Sequence, residues 1–173
     1  MESGGIFGPK LSGKTTLAIA LSQDYWRRFK MRSLVLDINL DTWGKQAWVT
    51  NDENKFWKAV WNSRNSLVIV DEATETINRD KDLVPVFTRL RHLNHKLLVI
   101  GHSGVNLLPI MREQLDTLYL FRQSKKAAAM WSEAMTQEGF NEATTLSQYE
   151  FLFGTNYIAP QKMTLPPPRV TSK

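Results

Sequence analysis

Apolar residues along this chain fall into short continuous runs, separated by longer stretches in which they recur at helical spacing. The runs are Gly5-Ile6-Phe7, Ser33 to Ile38, Leu67 to Val70, Leu97 to Ile100 and Thr117 to Phe121. Unbroken apolar character is how strands covered on both faces read. Between them, Thr16 to Leu21, Glu53 to Asn62, Leu83 to Leu93 (started or interrupted by Pro85) and Ala127 to Thr136 carry helical patterns. Strands alternating with helices predict an α/β fold, with a mostly parallel sheet of about five strands and helices on both faces. Tyr149 to Phe153, followed by Gly154-Thr155-Asn156, predicts a late edge strand or hairpin. Residues 160–173 hold four of the seven prolines, Pro160 and Pro166 to Pro168. They are expected to lack regular structure and to form an extended tail, disordered or a docking arm, after one domain over residues 1–159. Trp57 and Trp61, at i, i+4 beside Phe56 and Val60, predict a buried helix face.

Gly8-Pro9-Lys10-Leu11-Ser12-Gly13-Lys14-Thr15 lies between the first apolar run and the first helical stretch, and fits G-x-x-x-x-G-K-[ST] in full. Glycines let the backbone approach a polyphosphate, whose charge the following helix N-terminus favours. Lys14 would place a point charge on the β- and γ-phosphates, and the Thr15 hydroxyl would ligate Mg²⁺. The expected nucleotide-binding set is therefore Gly8, Pro9, Lys10, Leu11, Ser12, Gly13, Lys14, Thr15 and Thr16, with ATP and Mg²⁺ as the bound species.

Leu67 to Val70 ends in Asp71-Glu72. Ligand chemistry in open α/β sheets gathers at the carboxyl ends of strands. Asp71 would hold Mg²⁺ and Glu72 would deprotonate the attacking water as a general base. The strand over Leu97 to Ile100 ends in Gly101-His102-Ser103, where His102 or Ser103 would sense the γ-phosphate. Arg89 and Arg91 precede that strand, and either would serve as an arginine supplied to a neighbouring subunit's site, Arg91 being preferred. His92 and His95 find no third metal ligand and are read as exposed helical residues.

Composition adds less. The chain has 173 residues, 42% hydrophobic and 23% charged, as one soluble domain would. No apolar run approaches the ~20 residues of a membrane span. No signal peptide is expected ahead of the first strand. The lack of cysteine excludes disulfides and thiolate metal sites. The net charge of +5 is a weak pointer to polyanionic partners.

In this order, Gly8–Thr15, Asp71-Glu72 and His102-Ser103 resemble the ATPases with an additional catalytic glutamate, in which the sensor strand lies between the phosphate-loop strand and the acidic strand. More narrowly, Arg91 ahead of that strand, and the segment Met111-Arg112 … Asp116 to Arg122, resemble the FtsK–HerA superfamily of DNA-pumping motors. The small size is most similar to genome-packaging ATPases of tailless, membrane-containing (tectivirus-like) viruses. The resemblance spans roughly residues 4–125 and departs from the cellular motors at the sensor tip, usually glutamine there. It implies a RecA-like P-loop NTPase core and an ATP-hydrolysing ring, expected as a hexamer, that moves double-stranded DNA into a preformed capsid. A capsid or membrane vertex protein would be its docking partner, and the host cytoplasm or the virion's packaging vertex its location. Lys125, Lys126, Arg79 and Lys81 are candidate DNA contacts. Alternatives are a small nucleotide kinase and a secretion or phage-assembly motor of the same superfamily. A GTP switch ranks last, because Asn94-His95-Lys96 lacks the aspartate that guanine recognition needs.

Overall fold

A computed structural model of the chain describes residues 3–71, 89–105 and 107–166. Its frame is one sheet of eight strands, in the order β3-β2-β4-β5-β1-β6-β7-β8. The predicted strands are β1 (Ser3–Phe7), β2 (Arg32–Leu36), β4 (Ser66–Val70), β5 (Lys96–Gly101) and β6 (Thr117–Phe121). All five run parallel, and β1, β4 and β5 are almost wholly buried.

Three further strands extend the sheet beyond the expected five. The edge strand β3 (Ala47–Thr50) is short and only partly covered, so its pattern carries no buried run. At the other edge, β7 (Glu150–Thr155) pairs antiparallel with β6, and β8 (Gln161–Thr164) with β7. The expected hairpin is there, but Gly154 and Thr155 belong to its first strand rather than its turn. Residues 161–164, expected as irregular tail, form its second strand. All four are exposed, so only backbone pairing to β7 and the Lys162–Glu150 ion pair at 3.1 Å specify them. Leu165 then turns back into the core, its N–H donating to Tyr149 O at 2.9 Å. Pro167 and Pro168 lie outside the described residues, as do Glu72, Arg79, Lys81 and most of the helix expected over Leu83 to Leu93.

The helices are α1 (Lys14–Phe29), α2 (Glu53–Trp61), the short α3 (Pro109–Glu113) and α4 (Lys125–Ala134). Residues 89–92 are also helical. Side chains cap two of them: Asp52 accepts from Lys55 N–H at α2, and Ser124 from Ala127 N–H at α4. One apolar core gathers Phe56, Val60 and Trp131 on one face of the sheet; the other gathers Leu17, Ala18, Val35 and Ile69 under α1. The tryptophan pair of α2 is not its buried face. Phe56 and Val60 are buried, whereas Trp57 and Trp61 stack on each other at 6.0 Å with Trp61 exposed. His95 also departs from expectation, being buried and non-helical. Its Nδ1 accepts from Ser66 N–H at 3.0 Å, so the ring proton sits on Nε2, 3.1 Å from Val60 O. Burial pushes its pKa down.

Candidate active site

The phosphate loop leaves β1, an interior strand between β5 and β6. Gly8 N–H donates to Gly101 O at 3.2 Å, which ties the loop's entry to the tip of β5. A Cβ on Gly8 would lie 2.5 Å from Phe121 Cβ, so no other residue fits the entry. Pro9, Lys10 and Leu11 are exposed at the crest, with Leu11 at φ 61. Gly13 closes the loop at φ 106, and Lys14 opens α1 with no side-chain cap and no acid in its first turn. A helix N-terminus with no acidic side chain against it favours an anion. Lys14 is largely buried and curls back to donate from Nζ to Pro9 O at 3.0 Å. The Ser12 hydroxyl is buried without a partner among the described residues. Leu165 and Tyr149 pack behind Gly13, so β8 and the segment after it buttress the loop from outside. The residues present fit a polyphosphate.

Register brings the acidic strand alongside. Val70 pairs with Val99, which pairs with Gly5. Asp71, one residue on, therefore lies at the same carboxyl end as the loop, nearly fully buried, its N–H donating to Leu36 O at 2.9 Å. Thr15 and Asp71 fit an Mg²⁺ ion that keeps most of its waters, as Mg²⁺ in triphosphate sites does. Among the described residues there is no group of three His, Cys, Asp or Glu that could hold a metal by itself.

His102 and Ser103 follow Gly101 and are pinned through their carbonyls. His102 O accepts from Gln123 Nε2 at 3.2 Å, and Ser103 O from Trp131 Nε1 at 2.9 Å. A cleft of about 420 Å³ is lined by Lys10, Leu11, Lys14, Thr15, Ile38, Asn39 and His102. His102 also borders a second cleft of about 590 Å³, with Pro9, Ser103, Arg122 and Lys125 on its walls. Ser103 lines only this second one of the two.

Arg89 and Arg91 are not brought to this end. Both are exposed before the amino terminus of β5, and its six residues at about 3.3 Å each put them roughly 20 Å from His102. Neither reaches the loop of its own chain. His92 is helical and exposed, as expected.

One wall went unread in the sequence. Asp37, wholly buried after β2, accepts from Asn39 N–H at 2.8 Å, Asp41 N–H at 2.9 Å and Trp43 Nε1–H at 2.9 Å. The carboxylate thereby fixes the loop that sets Ile38 and Asn39 opposite Lys14 and Thr15. The signal was an aspartate closing an apolar run, but three donors converging on it cannot be foreseen from spacing.

Strand order and loop together define a P-loop NTPase core, with β5 between the phosphate-loop strand β1 and β4, the strand that Asp71 follows. No protein-family model and no curated protein sequence matches the chain. Among solved structures, it is similar to the genome packaging NTPase B204 from Sulfolobus turreted icosahedral virus 2 in complex with sulfate. The TM-score is 0.79 at 20% identity, over 94% of this chain and 96% of that one. It is also similar to the cytoplasmic domain of the Thermomonospora curvata type VII secretion ATPase EccC, with TM-score 0.63 and 10% identity over 94% of this chain and 23% of that one. The N-terminal domain of zonular occludens toxin from Neisseria meningitidis gives 0.57 and 14% over 95% and 93%. At such identities the likeness is one of fold.

Proposed function

We propose that this chain is an ATP-hydrolysing ring motor that moves double-stranded DNA and packages a viral genome into a preformed capsid. The observation that carries the reading is the phosphate cradle beside Asp71 and His102, on a fold similar over nearly its whole length to a viral genome-packaging NTPase. The crest N–H groups and Lys14 bind the β- and γ-phosphates, and Thr16 extends the contact along α1. Thr15 and Asp71 would hold Mg²⁺, which would supply charge neutralisation to the triphosphate. Glu72, next to Asp71, takes the proton of the attacking water. His102 senses the γ-phosphate, a role its place on the wall of the Lys14–Thr15 cleft favours over Ser103.

Each site is completed by a neighbour. Arg91, or Arg89 beside it, lies away from its own loop, which suits a group supplied in trans to the next subunit of a homo-oligomeric ring, expected as a hexamer. No helix among the described residues is long and apolar enough to cross a membrane. The motor would work in the host cytoplasm or at the packaging vertex, docked on a capsid or membrane vertex protein.

The test is ATP turnover against protein concentration, with and without duplex DNA. A steep concentration dependence and stimulation by DNA are expected, and a flat, DNA-indifferent rate would sink the proposal. The likeness to EccC supports a second reading as a secretion motor of the same superfamily, which predicts assembly-dependent turnover that DNA leaves unchanged.

A further inference from the structure

The densest positive charge on the chain lies far from the phosphate loop and has no role in the site. Arg27, Arg28, Lys30 and Arg32 fall within six consecutive positions, at the last turn of α1 and the start of β2. All four are exposed. Asp24 answers them in part, 2.9 Å from Arg28 Nε and 4.0 Å from Arg27 Nη2. The cluster still holds a surplus of three positive charges, against +5 for the whole chain.

The charges are organised around aromatic rings. Lys30 Nζ lies 5.7 Å and Arg32 Cζ 5.8 Å from the centre of the Trp26 ring, within cation–π range. Phe29, tilted against Tyr25 with ring centres 5.5 Å apart, is 60% exposed beside them. α1 is 16 residues long, about 24 Å at 1.5 Å per residue, so this patch sits at the opposite end of that helix from Gly13.

Two bland explanations fall short. Arg27 and Arg28 complement the negative end of the α1 dipole, but that accounts for neither Arg32 in β2 nor the rings between the cations. A lipid surface would need a broad apolar face, whereas Leu17 and Ala18 of α1 are committed to the core and Phe29 is the one large apolar side chain exposed on α1. Guanidinium forks in a fixed cluster match the phosphodiester oxygens of a nucleic-acid backbone.

We infer that residues 26–32 form the surface by which this chain grips the phosphate backbone of double-stranded DNA without regard to sequence. The inference rests on the motor reading above and names the element that would carry its load.

The test is fluorescence anisotropy of a labelled duplex of arbitrary sequence at several salt concentrations, on the full chain. The variant is Arg27→Gln with Arg28→Gln, Lys30→Gln and Arg32→Gln. Its apparent Kd is expected to rise about tenfold or more, and its log–log salt slope to flatten by about 0.9 for each phosphate no longer neutralised. A Lys55→Gln variant, which removes an exposed cation from the first turn of α2, is expected to bind as the parent does. Arg27→Gln alone, in solvent, keeps the test open where the fourfold change hinders folding; its slope should flatten by about one. Parental affinity and slope in both the fourfold and single variants would overturn this inference alone. A parent chain that binds no duplex overturns it together with the motor reading. Binding only to phosphatidylglycerol vesicles, lost in the fourfold variant, would overturn it in favour of a lipid surface.

Discussion

Gly13→Ala tests whether the phosphate loop is held in the conformation described. At φ 106 the residue sits in a region that side-chain-bearing residues rarely adopt. Holding alanine there costs about 1–3 kcal/mol. The new Cβ would also meet Leu165 Cδ1 at 2.9 Å and Tyr149 Cδ1 at 3.3 Å. Leu165 is the end of a flexible side chain and can yield, whereas the Tyr149 ring is tighter to move. The backbone strain therefore dominates, and a loss of about 2 kcal/mol is expected. For a chain of this length that lowers Tm by about 4–8 °C. The assay is thermal unfolding without nucleotide, alongside the affinity for a fluorescent ATP analogue. Because the loop relieves strain by moving its N–H groups off the anion, affinity should fall as well. Adding Leu165→Ala should restore little, since the steric clash is the smaller cost. A Gly13→Ala chain that melts within a degree of the parent and binds ATP equally well would refute both the loop conformation and the strain attributed to it.

Further expectations follow from single residues. Arg91→Ala should cut assembled ATP turnover by about 10³-fold or more while sparing ATP binding, as loss of a trans-acting arginine does; normal turnover would remove Arg91 from the role. His95 has a pKa below its unfolded value of about 6.5, so the unfolded chain takes up a proton that the folded chain resists. The stability it contributes is present above pH 6.5 and lost as pH falls below it, by at most about 1.4 kcal/mol per pH unit. Urea midpoints measured between pH 7.5 and 5 should show this component in the parent and lack it in His95→Gln; identical pH profiles would count against the buried neutral ring. Asp37→Ala leaves the Trp43 indole N–H buried and unpaired, at a cost of about 1–3 kcal/mol for that group alone. Its urea midpoint should fall and its ATP affinity weaken, and a midpoint equal to the parent's would show that the carboxylate does not hold the loop.

The parts of the fold that were legible are those whose physics is local. Each of the five parallel strands is an apolar run, and the phosphate loop needs its residue types in fixed order whatever surrounds them. β3 and β8 were not legible, because an exposed strand exists only through its partner: nothing in Gln161–Thr164 asks for a strand until β7 offers an edge. The α2 tryptophans misled for a related reason. Periodicity identifies an apolar stripe, but whether Trp57 and Trp61 or Phe56 and Val60 face the core depends on where β2 and β3 lie. His95 was read from spacing as a surface residue, yet the close approach of Ser66 and Val60 makes it a buried strut.

The sequence by itself determined the phosphate loop, the acid at the end of β4, the polar tip of β5 and the α/β class, since each follows from residue type and nearest neighbours. Tertiary structure decided which of these meet. Strand order set β5 between β1 and β4, and register brought Asp71 and His102 to the end where Lys14 waits. It also placed Arg91 a strand's length away from that end. Contacts between residues distant in sequence are fixed by packing, which a one-dimensional pattern does not encode.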